Sequence, residues 1–137
     1  MNSLTKIFIA ERDCERLVNT MLWLEQYPDF EVYGSALTDG SLRAQIDELQ
    51  PEIVMLSGPS TAAEAAMAVK MIRSTKAAPA VVLVSKSDNM ESVFAECEGH
   101  VGPKTELKDI HDVINKAVNR RRIAAIAATA VSMAKAG

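Results

Sequence analysis

The sequence has little of what several classes of protein require. Its two cysteines, Cys14 and Cys97, lie far apart and form no CxxC motif, so we expect neither a disulfide framework nor a bound metal. The formal net charge of -3 over 137 residues gives no basic field for a nucleic-acid partner. No apolar run approaches the roughly 18 residues of a membrane span, and the amino terminus lacks a secretory apolar segment. We therefore expect a cytoplasmic protein with no membrane span.

What the sequence does contain is an alternation of strand and helix patterns. Short apolar runs rich in β-branched residues predict buried strands at 6–10, 31–36, 53–57 and 80–85, and a weaker fifth strand at 100–102. The segments between them have helical spacing of apolar residues: Leu17, Met21 and Leu24; Leu42, Ile46 and Leu49; Ala65, Val69 and Ile72; and Val93 with Cys97. Strands joined by helices pair in parallel through right-handed crossovers. The pattern predicts one α/β domain, with a five-stranded doubly wound sheet covered on both faces.

The carboxy-terminal segment predicts one long helix. Residues 105–137 contain no proline, and no glycine before the last residue, and Thr105 is a suitable cap. The apolar residues of its first half have core spacing: Leu107, Ile110, Ile114, Ala117 and Val118. Beyond Arg120–Arg122 the apolar stripe is Ile123, Ile126, Ala127, Ala130 and Met133. We divide the chain into a domain over 1–121 and a helical extension or linker over 122–137. The extension is an exposed linker, a surface for a second copy or partner helix, or a membrane-surface helix.

The strand ends indicate where a functional site would lie. In doubly wound folds, ligands bind outside the carboxyl ends of the strands, where the strand order reverses. The candidate residues at those ends are Glu11, Arg12 and Asp13 after the first strand, Ser57 after the third, Ser85 after the fourth and Lys104 after the fifth. Lys104 could pair with Glu11 or Asp13, and Arg12 could fill the space of a metal ion. In the simpler interpretation Arg12 points to solvent, and the two serines satisfy loop amides.

This arrangement resembles the flavodoxin-like receiver domain of bacterial response regulators, over about residues 4–121. The resemblance implies an acidic pair after the first strand and an aspartate after the third, which together bind magnesium. The aspartate accepts a phosphoryl group, and a Thr or Ser and a Lys follow the fourth and fifth strands. In the matching run PEIVMLS, Ser57 falls on the phosphoacceptor position, Ser85 on the Thr/Ser position and Lys104 on the lysine, with Pro103 and Lys104 in reversed order.

The acidic pair is also altered. It corresponds to Glu11 and Arg12 or to Arg12 and Asp13, so an arginine replaces one acid in either alignment. Magnesium relies on carboxylate oxygens, and one unit-charge contact at about 4 Å is worth about 4 kcal/mol at an effective dielectric near 20. The two replacements, Arg12 and Ser57, therefore predict no useful magnesium affinity. A serine hydroxyl also cannot form an acyl phosphate, and it is a poor nucleophile without a base.

These departures predict a pseudo-receiver with no enzymatic activity and no cofactor. As the resemblance implies, it would act by protein–protein interaction through the fourth and fifth helices and the extension, with a homodimer through the carboxy-terminal helix as one form. The alternatives are a phosphoryl-accepting receiver with an unusual site, and the amino-terminal module of a larger regulator or a pilus-assembly ATPase. A serine hydrolase using Ser57 and His100 lacks the G-x-S-x-G elbow. A nucleotide-binding enzyme lacks both GxxxxGK and GxGxxG.

Overall fold

A computed structural model of the protein describes residues 4–35, 41–57, 59, 61–85, 91–102 and 104–136, with the backbone alone for Glu91 and 131–136. The strands are β1 (Thr5–Ala10), β2 (Phe30–Ser35), β3 (Ile53–Ser57), β4 (Ala80–Val84) and β5 (Gly99–Val101). The helices are α1 (Cys14–Glu25), α2 (Ser41–Leu49), α3 (Ala62–Arg73), α4 (Glu91–Phe94) and α5 (Leu107–Ala136). The predicted strands that the structure describes therefore begin and end within one residue of the observed ones; Ala36 lies outside the described residues.

The strands form one parallel sheet in the order β2-β1-β3-β4-β5. The doubly wound α/β fold predicted from the sequence is confirmed. The chain moves outward from β1 to β2 and then crosses back to β3, so the strand order reverses between β1 and β3. Ala10 pairs in register with Leu56, which places the residues that follow them, Glu11 and Ser57, at neighbouring positions of the upper edge. This edge, at the carboxyl ends of the strands, is the one where folds of this kind bind ligands.

Successive residues of each strand face opposite sides of the sheet, and each side has its own core. Ile7 and Ile9 of β1 pack under α1 and α5, whereas Phe8 and Ala10 pack under α2, α3 and α4. The two layers of helices bury the central strands from both directions, which is why β3 consists entirely of buried residues. Runs of apolar residues without polar alternation are typical of such strands.

Two helix boundaries differ from the prediction. Val93 and Cys97 do not share a helix, because α4 ends at Phe94 and the amide of Cys97 donates to the carbonyl of Phe94 in a tight turn. The chain must turn there because the next amide, that of Glu98, already bonds to the carbonyl of Val81 on β4. Thr105 does not cap α5: its hydroxyl accepts the amide of Gly102, and the helix begins at Leu107.

Three successive arginines fasten α5 to the lower edge of the sheet, which is formed by the amino ends of the strands. Arg120 donates to the carbonyl of Glu98 at 2.7 Å and Arg121 to the carbonyl of Ala78 at 2.7 Å. Arg122 forms an ion pair with the carboxylate of Glu52. Each of these partners lies within two residues of the start of a different strand. The direction in which the helix leaves the domain is therefore fixed by the three loops that enter β3, β4 and β5.

Beyond these three arginines, α5 continues to Ala136. The described side chains over 122–130 are all exposed. The whole helix of 30 residues spans about 45 Å at 1.5 Å per residue. Over the described residues, none of the helices combines the length and apolar character that crossing a membrane requires.

Candidate functional site

Glu11 is a buried carboxylate at the upper edge of the sheet, where the strand order reverses. Its amide donates to the carbonyl of Ser35 at 3.1 Å, so Glu11 continues the β1–β2 pairing one residue beyond the strand. Only 2% of the residue is exposed. The Oε1 atom accepts from the guanidinium of Arg16 at 3.4 Å. Oε2 is sealed from solvent and has no hydrogen-bond partner among the described residues.

Arg12 and Asp13 lie outside this buried position. Arg12 is exposed, which agrees with the interpretation that it points to solvent and not with the alternative that it fills the space of a metal ion. Asp13 is the N-cap of α1, and its Oδ1 accepts the amides of Glu15 at 3.0 Å and Arg16 at 3.2 Å. The Asp13 carboxylate is exposed and serves the helix terminus.

The cation beside Glu11 is Arg16, a residue that the sequence prediction did not include. It lies in the first turn of α1, where the helix dipole disfavours positive charge. The helix that carries it is held close to the sheet at Gly34 of β2, where an added Cβ would lie 2.7 Å from Cδ1 of Leu17. A cation in the first turn of a helix, one turn after a strand-end acid, is the sequence signal that could have identified this pair.

Ser57 and Ser85 are both buried at the upper edge. Ser57 pairs in register with Val84, and the amide of Ser85 donates to the carbonyl of Val101 at 2.9 Å. Lys104 is exposed, and within the described ranges it forms no ion pair with Glu11 or Asp13, although the sequence suggested such a pair. Pro103 lies outside the described residues. The structure thus brings Glu11, Ser57 and Ser85 to one edge and leaves Lys104 in solvent.

Neither histidine is placed as a base for Ser57. His100 is exposed and stacks on Phe94, with ring centroids 4.2 Å apart and an interplanar angle of 6°. His111 stacks on Tyr27 at 4.4 Å and lies 3.2 Å from the carboxylate of Asp29, immediately before β2 and therefore near the lower edge. The described contacts contain no Ser–His pair, so the arrangement does not match a serine hydrolase.

A groove of about 560 Å³ opens between α1 and the first turns of α5. Its floor is Met55 of β3, and its walls include Trp23, Leu107 and Ile110. Arg16 and Asp13 lie on its rim. Leu107 is an exposed apolar residue at this edge. The groove therefore places Arg16, whose guanidinium contacts the buried Glu11, beside an apolar surface.

The residues of the upper edge do not fit the magnesium ion that the resemblance implies. Octahedral magnesium relies on carboxylate oxygens. Of the residues at the candidate positions, Glu11 is paired with Arg16, Arg12 is a cation, Asp13 caps α1 and Ser57 is neutral. Among the described residues, no three or more His, Cys, Asp or Glu side chains form a group that could hold a metal.

No family model matches the sequence, and no curated protein is recognisably similar to it. Solved structures are similar in fold. A response regulator receiver domain protein, CheY-like, from Methanospirillum hungatei matches with a TM-score of 0.67 and 20% identity, over 88% of this chain and 98% of the other. The chain has the receiver fold. A LuxR-family DNA-binding response regulator from Staphylococcus aureus matches with a TM-score of 0.68 and 21% identity, over 84% and 99%.

A pilus assembly-related protein from Burkholderia pseudomallei also has this fold. Its TM-score is 0.70 and its identity 17%, over 87% of this chain and 92% of the other. At identities this low the likeness concerns the fold. The receiver fold also accounts for the site's location, because Glu11 and Ser57 lie at the strand-order reversal that this topology creates.

Proposed function

We propose that the chain is a signalling or regulatory module with the receiver fold that acts by protein–protein contact and does not accept a phosphoryl group. The observation that carries this proposal is the buried Ser57 at the end of β3, where the resemblance implies the phosphoacceptor aspartate. A hydroxyl supplies neither the charge that holds magnesium nor the carboxylate that forms an acyl phosphate. In this proposal Glu11 and Arg12 correspond to the acidic pair, because Glu11 is the carboxylate that remains at the sheet edge.

A titration of the nitrogen-15-labelled chain with magnesium and then beryllofluoride tests the proposal. The amide resonances of Ser57, Ser85 and Lys104 should stay unchanged, because the edge lacks the acids that bind either reagent. A receiver domain with its aspartate serves as the positive control under the same conditions. Shifts centred on these three amides would instead favour a phosphoryl-accepting receiver with an unusual site.

We further propose that the helical extension packs against the same segment of a second copy. Ile123 and Ile126 lie on one helix face, and they are 66% and 69% exposed. No charged residue occurs between 123 and 134, so two copies meet without like-charge repulsion. The hydroxyl of Thr129 donates to the carbonyl of Ala125 at 3.0 Å and therefore keeps its hydrogen bond when the surface leaves water. The side chain of Met133, predicted to continue this stripe, lies outside the described residues.

The mass of the protein in solution tests this dimer. Replacing both Ile123 and Ile126 by glutamate should convert a dimer into a monomer, because the charges would be buried in the interface. Ala128→Glu is the matched control, since Ala128 lies on the face of the helix opposite to Ile123 and Ile126 and its replacement should leave the dimer intact. The melting temperature of the domain should change little in either variant, because these residues do not pack on the sheet. A wild-type chain that is monomeric would refute the dimer.

A narrower candidate function is suggested by the pilus assembly-related protein with the same fold. In that case the chain is a regulatory module of pilus assembly, as the amino-terminal part of a larger regulator or ATPase would be. The test is deletion of the gene in its own host, followed by counts of surface pili. Loss of pili that is restored by both the wild-type chain and Ser57→Ala would support the narrower function without phosphorylation. Unchanged pili would refute it and leave the general proposal standing.

A further inference from the structure

We propose that Arg16 is a built-in counter-ion that takes the place of a divalent cation at the upper edge of the sheet. The inference rests on the proposed function, since it explains how a buried acid persists there without a metal. Glu11 is held at 2% exposure by the β1–β2 pairing. A buried carboxylate is costly unless a positive charge compensates it. The guanidinium of Arg16, 3.4 Å from Oε1, supplies that charge from within the chain.

The position of Arg16 is difficult to explain in another way. It lies in the first turn of α1, where the positive end of the helix dipole disfavours a cation. A positive charge at this position would be unfavourable without a nearby acid. Glu11 provides one, and the Asp13 carboxylate, which accepts the amide of Arg16 itself, provides a second negative charge at the same helix end. The side chain of Arg16 is 41% exposed while that of Glu11 is 3% exposed, so the arginine covers the acid from the solvent side.

The other cations near this edge do not have this geometry. Arg12 and Lys104 are both exposed, and within the described residues neither forms an ion pair with Glu11. The remaining oxygen of Glu11, Oε2, is sealed from solvent, which leaves no open approach for a hydrated ion. The charge of Glu11 is therefore compensated from within the chain, and its burial does not depend on the concentration of a soluble cation.

The coupling between Arg16 and Glu11 gives the first test. Arg16→Gln should lower the melting temperature by about 4 °C or more, because it leaves the Glu11 carboxylate buried without a counter-ion. The same change made in a Glu11→Gln background should cost much less, because no charge remains to be compensated. Arg16→Lys should retain part of the stability. Arg12→Gln is the control, because it removes the same charge from an exposed position, and it should change the melting temperature little. An Arg16→Gln loss that is the same in both backgrounds would overturn the proposal.

A magnesium titration gives the second test and uses a restored carboxylate at position 57. Ser57→Asp combined with Arg16→Gln should gain a magnesium-dependent rise in melting temperature, measured against sodium chloride of equal ionic strength. Ser57→Asp combined with Arg12→Gln has the same formal charge but keeps Arg16, so it should show no such rise. An equal response of the two variants, a response only in the Arg12 variant, or no response in either would overturn the proposal.

Failure of the proposed function is visible in a different measurement. A native chain that binds magnesium and beryllofluoride would refute phosphorylation independence, while the Arg16–Glu11 coupling could still be present. Conversely, a chain that does not bind beryllofluoride and shows no such coupling would support the proposed function and refute the role of Arg16 as a counter-ion.

Discussion

Replacing Glu98 by alanine should lower the free energy of unfolding more than replacing any exposed glutamate near it. Glu98 lies immediately before β5 and joins three elements at the lower edge. Its Oε1 forms an ion pair with Arg73 of α3 at 2.7 Å, and its Oε2 accepts the amide of Val81 on β4 at 2.8 Å. Its backbone carbonyl accepts from Arg120 of α5, and that contact survives the substitution. The Glu98 side chain thus gives the Val81 amide the hydrogen bond that a backbone carbonyl of β5 would give it if that short strand began earlier.

The magnitude follows from the two contacts that are lost. The amide of Val81 would be left unpaired in a residue that is fully buried, which costs about 2 kcal/mol. The ion pair is partly screened, since the Arg73 side chain is 33% exposed and that of Glu98 is 11% exposed, so its loss costs about 1 kcal/mol. Together they lower stability by about 3 kcal/mol, or about 10 °C in Tm for a domain of this size.

The assay is urea unfolding followed by the fluorescence of Trp23, the single tryptophan of the chain. Glu98→Gln is the informative partner variant, because its side-chain carbonyl still accepts the Val81 amide and only the charge is lost, at about 1 kcal/mol. Glu96→Ala is the control, an exposed glutamate two residues away whose loss should cost under about 0.5 kcal/mol. Equal losses for Glu98→Ala and Glu98→Gln would refute the reasoning, as would a Glu98→Ala loss no larger than that of the control.

Two further outcomes are expected. Gln50→Gly should stabilise the domain by about 1 kcal/mol in the same assay, because Gln50 follows α2 with φ of 48°, a left-handed conformation that favours glycine. As a control, Gln45→Gly within α2 should destabilise the domain by about 1 kcal/mol. A gain in stability in both variants would contradict this reasoning. Burial, reinforced by the charge of Glu98, raises the pKa of the Cys97 thiol to about 11. In a Cys14→Ser variant its alkylation should therefore be slow at pH 8 and rise about tenfold per pH unit toward pH 11, whereas a rate that levels off near pH 9 would show an unperturbed thiol.

The fold could be predicted because burial on both faces leaves a strong pattern in the sequence. The run Ile53–Leu56 is apolar without interruption, as a central parallel strand must be. The helix errors came from contacts between distant residues. Helical spacing joined Val93 and Cys97, but the bond of Glu98 to Val81 on β4 begins the last strand at once and ends the helix early. No local pattern contains that bond.

The site could be predicted by position but not by direction. The strand pattern included Glu11 and Ser57 among the candidates at the strand ends, and the structure places both at the strand-order reversal. The sequence pattern did not indicate which of the nearby cations faces Glu11. Adjacent residues after a strand point in different directions, so Arg12, next to Glu11 in sequence, is exposed, whereas Arg16 returns to Glu11 after the first turn of α1.

The same geometry explains the three arginines before the extension. In the sequence they look like a basic cluster flanking an apolar helix, which is the pattern of a membrane-surface segment. Successive helix residues point about 100° apart, and the side chains reach three different partners: the Glu98 carbonyl, the Ala78 carbonyl and the Glu52 carboxylate. Their charges are thus engaged by the domain itself. Each of the three guanidinium groups therefore has a partner in the domain itself, and in the function proposed above the exposed apolar face beyond Arg122 is the surface that packs against a second copy.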